Sequence, residues 1–506
     1  MQVYERLSCY STREDWKNLT NLLQEENIIK NENGVINRQM LAKLAELLTR
    51  RNISLPMDLM MLILKCFMDS CDKLLNKPQQ LNAINENIQV NCWNDLYKSI
   101  SEDDKFWIDN KNLCDNYFPY EGVGQWVIDY LTNNLSKIND EYLKFIKRCI
   151  CLLCNIICVS PQYDLPKFIQ SINFNSTILK LLEIDDKLVR HPLCALIHNI
   201  IYNSKETIFN DSELKLIIAD LIEDNTININ PAYDSIMFLV KTSPKFLSIV
   251  YNDLSDDRKL NLLEMIHQNL KDIVYDNNND NDKTTVITNE GIIFLKERFK
   301  RRSDLILKTE KSYLDGMEPT EVTMLLDILA LISSNEQYNE IVLQIDTSLL
   351  INALYLLRAF HAAGKKDEEN NFTPLLKLND IAPNSSNRTT DPEKHPAFGF
   401  KAGLVRLIGN LVHKHKKNQD TVRENDGIAL LLDCCNIDAR NPLILQWTII
   451  AIRNLCQNNF DNQKIIQDSS KIKTIDSSVL QSMGRILDGD PQTGKTIGVV
   501  QLPKKE

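Results

Sequence analysis

One spacing limits what this chain can fold into more than any other feature. The segment "LIGNLVHKHKKNQDTV" (407–422) lies over "AIRNLCQNNFDNQKII" (451–466) at a constant offset of 44 residues. Ile408 matches Ile452, Asn410 matches Asn454, Leu411 matches Leu455, Asn418-Gln419 matches Asn462-Gln463, and Val422 matches Ile466. Upstream, "LCNII" (153–157) and "IHNII" (197–201) set Asn155 and Asn199 the same 44 residues apart. A weaker copy, "DILALISSNEQYNEIV" (327–342), has Leu331 at the asparagine position and Asn339 at the later one.

Self-similarity at 40–47 residues is the mark of armadillo and HEAT repeats, each a set of two or three helices that buries its apolar face only against a neighbour. Composition agrees. Glycine numbers 14 and proline 16 in 506 residues, too few for the many tight turns of a sheet-rich fold. Helix signals recur: "NPLILQWTIIAIRNLC" offers Asn441 as an N-cap and Pro442 at the first helical position. "HPLCALIHNIIYN" repeats the design with Pro192. "TMLLDILALIS" (323–333) is apolar nearly all round, as a helix between two repeats must be. No segment shows the sustained alternation of a strand pair. The expected fold is all-α, an armadillo/HEAT-like right-handed helical-repeat solenoid, stacked across 40–270 and 320–488. Two Asn- and Pro-rich stretches, 276–291 and 364–396, read as polar, exposed loops. The expected organisation is an N-terminal repeat array (1–275), helical repeats at 292–363, a C-terminal domain at 397–488 and a flexible tail at 489–506.

The recurring asparagine has two readings. A side-chain amide inside an apolar helix needs hydrogen-bond partners. In one reading each amide ties its repeat to the backbone of the next. In the other, Asn155, Asn199, Asn410 and Asn454 line a groove with Trp447 and Arg453, gripping the backbone of an extended partner peptide.

Several function classes are disfavoured. A formal charge of −10 repels phosphate backbones, so nucleic acid is not the expected partner. The longest apolar runs, 149–159 and 61–68, fall short of a membrane span, and "MQVYERLSCYSTREDWK" carries charges where a signal peptide has an apolar run. The expectation is an intracellular, cytoplasmic protein. Cys149, Cys151, Cys154 and Cys158 sit at the spacing of one helix, which cannot wrap a tetrahedral zinc, so they read as core residues. His413 and His415 in "HKHKK", with no acidic or cysteine cluster beside them in sequence, read as a solvated helix end. "GDPQTGKT" (489–496) fits the phosphate-loop pattern letter for letter. That loop works only between a strand and a helix, whereas "SSVLQSMGRILDGD" before it reads as a helix and only ten residues follow.

The block at 398–459 resembles the ataxin-10 family through "FGFK", the "LIGNL" helix, "NQD", "DGI", "CNID" followed by "NP", and "AIRNL". The Asn-rich loops and abundant Ile and Lys suggest a divergent, fungal-type member. The resemblance implies armadillo-type repeats, a cytoplasmic protein and no known catalysis, and no cofactor is expected. It also implies roles in cytokinesis and as a signalling adaptor. The expected function is a non-catalytic scaffold binding other proteins, with homo-oligomers compatible. Two alternatives are a nucleotide-binding protein built on the tail motif and a cargo receptor of the nuclear-import kind. The receptor would want tryptophan–asparagine pairs across several repeats, and only Trp447 with Asn454 resembles one.

Overall fold

The computed structural model describes residues 3–24, 38–50, 55–75, 119–135, 139–159, 165–204, 208–226, 229–275, 286–310, 317–366, 370–375, 393, 395–436, 438–470, 485–489 and 496–501. The chain divides into two compact units, Met1–Met265 with Asp282–Gly291 and Ile266–Asn281 with Ile292–Glu506.

The first unit holds α1 (Val3–Thr12), α2 (Trp16–Gln24), α3 (Arg38–Thr49), α4 (Met57–Leu75), α5 (Pro119–Asn134), α6 (Asp140–Val159), α7 (Ile172–Leu182), α8 (Lys187–Asn203), α9 (Asp211–Thr226), α10 (Asn230–Thr242) and the single turn α11 (Phe246–Val250). Alternate helices stack in two layers. One runs α1, α3, α5, α7, α9 and the other α2, α4, α6, α8, α10. A helix in such a layer touches a neighbour on each side and the other layer behind. This is why α8 is apolar on most of its circumference, with Val189, Leu193, Cys194, Leu196, Ile197 and Ile200 fully buried. One charged network lies within this core. Arg190 donates from Nε to Asp224 Oδ1 at 3.0 Å and from Nη1 to the Leu182 carbonyl, and Cys194 Sγ donates to Asp224 Oδ2 at 3.2 Å.

Helices α12 (Asp256–Tyr275) and α13 (Asn289–Arg302) lead into the second unit, which contains α14 (Met317–Ile332), α15 (Ser348–Lys366), α16 (Phe400–Leu411), α17 (Lys416–Glu424), α18 (Gly427–Leu432), α19 (Ile444–Cys456) and α20 (Phe460–Ser470). Here α14, α16 and α19 form one layer, backed by α15, α17, α18 and α20. The 44-residue offset is thus the step from α16 to α19. These two helices approach closely at Gly409, where a Cβ would stand 3.1 Å from the Cα of Ala451.

Five local expectations are corrected. Pro192 lies inside α8 rather than at its start, because Asp186 caps the helix a turn and a half earlier by accepting from Leu188 N at 2.7 Å. Asn441 and Pro442 precede α19 rather than open it. Asn441 is buried, accepts from Ala402 N and donates to Asp438 Oδ2, and α19 begins after Leu443 in the left-handed region (φ 64°). The stretch 276–291 is not exposed throughout: Val286 and Ile287 are buried and Thr288 N donates to the Val240 carbonyl; residues 276–285 lie outside the described residues. Within 364–396, the first three residues belong to α15, and Phe372 is buried with its ring stacked 4.2 Å from that of Phe360. The rest of it, 367–369, 376–392 and 394, lies outside the described residues. Finally, the helix expected over 477–490 gives way to a strand, β1 (Arg485–Gly489), paired antiparallel with β2 (Thr496–Gln501), Ile486 opposite Val500 and Leu487 opposite Val499. The β-branched run "TIGVV" supplies the partner strand that favours this state; 471–484 lie outside the described residues.

Candidate partner-binding face

The asparagine column is built by the repeat step itself. Asn454 on α19 donates from Nδ2 to the Gly409 carbonyl of α16 at 3.0 Å. Asn410 on α16 donates to the Ala330 carbonyl of α14 at 3.2 Å and to Ser333 Oγ at 3.0 Å. In both cases the acceptor residue is the one just before the equivalent position of the preceding repeat, Asn410 and Leu331. The close approach at Gly409 brings that carbonyl within reach. In the first unit Asn199 follows the same register with a softer acceptor, donating to Cys154 Sγ at 3.7 Å and Cys158 Sγ at 3.3 Å, again beside Asn155.

The second recurring amides cap helix ends. The last carbonyls of an α-helix have no partner within it. At the end of α16 they are met by Asn339 (to Asn410 O, 2.8 Å), Asn418 (to Leu411 O, 2.8 Å) and Gln344 (to Leu411 O and His413 O, both 3.0 Å). At the end of α19 the same work falls to Gln419 (Asn454 O, 2.9 Å; Gln457 O, 3.1 Å), Asn462 (Leu455 O, 2.9 Å) and Gln463 (Cys456 O, 2.7 Å). Asn418 and Asn462 make the same bond one repeat apart. Sequence reasoning aligned these residues without seeing that they terminate the layer helices.

The residues singled out for a groove therefore divide. Asn454 is buried, and the donors of Asn199, Asn410 and Asn454 are committed to the preceding repeat. Asn155, Asn199 and Asn410 are half-buried. Trp447 is half-buried on α19, with the Arg406 guanidinium 4.9 Å from its ring centroid in a cation–π contact. Arg453 is exposed, and among the described residues its guanidinium reaches the neighbouring Asn454 Oδ1, at 3.4 Å. Arg406, Trp447 and Arg453 thus present two guanidiniums and one indole beside the braced amide column.

The histidine cluster is not a bare helix end. Glu336, remote in sequence, accepts from Lys414 Nζ at 2.7 Å and stands 3.5 Å from His413 Nε2, while His415 Nδ1 caps α17 by accepting from Asn418 N at 3.2 Å. The four cysteines of α6 sit in or beside the core. Burial raises the Cys149 and Cys154 thiols well above their ordinary value and pushes Cys158 up to about 12, so they are neutral at physiological pH. Among the described residues no group of three or more His, Cys, Asp or Glu is placed to hold a metal ion, and no helix is long and apolar enough to cross a membrane.

In the phosphate-loop match, Gly489 ends β1 and Thr496 opens β2, with Lys495 outside the described residues. The match is thus followed by a strand, not by a helix whose N-terminus could hold a phosphate. Accordingly, calorimetric titration with ATP is expected to give no binding, and Lys495→Ala to leave partner capture unchanged. Micromolar ATP binding that disappears on this substitution would contradict the assignment.

Residues 400–497 match the family model described as "Spinocerebellar ataxia type 10 protein domain". Curated relatives include ataxin-10 of Xenopus tropicalis, 36% identical over 50% of this chain and 49% of the relative, and the ataxin-10 homolog of Dictyostelium discoideum, 41% identical over 21% of this chain and 17% of the relative. The chain spans about half the length of the vertebrate relatives it matches. Among solved structures, an engineered protein aligns with 90% of this chain and 99% of its own at 12% identity and a TM-score of 0.33. The domain match takes in α16 to α20 with the capping amides Asn418, Gln419, Asn462 and Gln463, and about half of this chain is similar to ataxin-10 proteins.

Proposed function

We propose that the protein is a non-catalytic, cytoplasmic scaffold that binds other proteins through side chains beside its asparagine columns, acting in the regulation of cytokinesis or in signalling. The observation that carries this reading is the division of labour on α16 and α19. The Asn410 and Asn454 amides hold the repeats in register, while Arg453 is exposed and Trp447 and Arg406 are half-buried beside it on a scaffold braced by those bonds. Arginine and tryptophan are the residues that most often dominate protein–protein binding energy. The C-terminal domain, 397–488, is the proposed docking module, and Asn155 and Asn199 mark the corresponding face of the first unit.

The test is quantitative capture. Proteins retained from a cell extract by the intact chain are compared with those retained by a Trp447→Ala, Arg453→Ala variant, with melting temperatures measured alongside. The variant is expected to lose specific partners, with affinity falling by about tenfold or more, at an unchanged melting temperature. Identical partner sets at equal affinity would refute the face.

A further inference from the structure

The first unit contains an open cleft of about 470 Å³ lined by Lys147 and Cys151 of α6, Lys187, Leu188, His191 and Pro192 of α8, and Ile229 just ahead of α10. It lies on the layer that carries Asn155 and Asn199, toward the N-terminal end of α8. It carries two lysines and a histidine in a chain whose formal charge is −10. Lys147, Lys187 and His191 are exposed, and no carboxylate among the described residues pairs with any of them. Asp186, the acidic residue next to Lys187, is turned onto the helix end, where it accepts from Leu188 N. Between the two lysines and His191 lies an apolar floor: Pro192 and Ile229 are buried at the base and Leu188 is 42% exposed.

We propose that this cleft binds an extended acidic peptide segment of a partner protein, its carboxylates on Lys147, Lys187 and His191 and an apolar side chain against Leu188, Pro192 and Ile229. This deepens the scaffold reading and rests on it, by naming the chemistry of one docking partner. Charge complementarity carries the choice of occupant. A cationic segment would meet the ammonium groups of Lys147 and Lys187, whereas an acidic one is repelled by most of the chain and attracted here, so the cleft is both a steering and a selecting element. The apolar floor distinguishes it from a simple anion patch. A peptide that brings only charge leaves Leu188 in water, whereas one with an intervening leucine covers it.

The probe is a short fluorescein-labelled peptide of alternating Asp, Glu and Leu, titrated with the full-length chain in low salt and followed by anisotropy. Companion probes replace Leu by Ser or the acidic residues by Lys. The acidic leucine peptide is expected to bind, the Ser version more weakly and the Lys version not at all. Lys147→Glu with Lys187→Glu is expected to lower affinity by about tenfold or more without moving the melting temperature, since both side chains are exposed. Leu188→Ser is expected to abolish the preference for the leucine probe over the serine one. The proposal is overturned if the acidic leucine peptide does not bind, if it binds the double variant equally well, or if inorganic polyphosphate displaces it while the Leu and Ser probes bind alike. If any of these occurs while partner capture still depends on Trp447 and Arg453, the cleft assignment fails and the scaffold reading stands.

Discussion

Replacing Arg190 with alanine is expected to lower the stability of the first unit by about 3–5 kcal/mol, the usual cost of removing one partner from a buried ion pair. Asp224 is 2% exposed and Arg190 9%. Without the guanidinium, the Asp224 carboxylate keeps only the Cys194 thiol as a donor and faces Asp220, whose own carboxylate lies 3.6 Å from the Arg190 side chain. The Leu182 carbonyl at the end of α7 also loses its donor. Thermal unfolding followed by circular dichroism checks this, the unfolding of the first unit moving down by roughly ten degrees or more. The paired change Arg190→Met with Asp224→Leu is expected to recover part of the loss, because it removes both buried charges while leaving the Leu182 carbonyl without its donor. A single Arg190→Ala variant that melts like the parent would mean the pair is hydrated and not part of the core.

The second large effect concerns the amide column. Asn410→Ala together with Asn454→Ala deletes the donors to Ala330 O, Ser333 Oγ and Gly409 O, across both helix contacts α14–α16 and α16–α19. Each lost bond costs about 1 kcal/mol, and an acceptor left dry costs more, so the pair together is expected to lower stability by about 2–4 kcal/mol. The two sites share α16, so their effects are expected to couple rather than add. Chemical denaturation of the double variant and both single variants gives that coupling directly.

How much of this was written in the sequence depends on whether the determining contact is local. The repeat step was legible because Ile408 and Ile452, or Leu411 and Leu455, occupy equivalent positions on successive layer helices. The amides were visible as a pattern, but what each one reaches was not. Asn454 meets a carbonyl 45 residues away, and that distance is set by Gly409, whose missing side chain lets the helices touch. Glu336 joins His413 and Lys414 only through folding. Pro192 misled because a proline suggests a helix start, while Asp186 supplied the stronger cap upstream. The hairpin at 485–501 was missed because Ile486 and Leu487 satisfy a helical period when read with Val479 and Met483, and only pairing with Val499 and Val500 decides for a strand. The loop anchor at Phe372 was hidden by its polar neighbours.

The central claim is that the asparagines hold the repeats while the arginine and tryptophan side chains beside them bind partners. The measurement that tests it most directly is partner affinity and melting temperature on two variants of the full chain, Asn410→Ala with Asn454→Ala and Trp447→Ala with Arg453→Ala. The first is expected to melt lower and, below its transition, to bind partner with unchanged affinity. The second is expected to melt like the parent and lose binding. A first variant that keeps its melting temperature and loses the partner would contradict the account and assign the amides themselves to the binding groove.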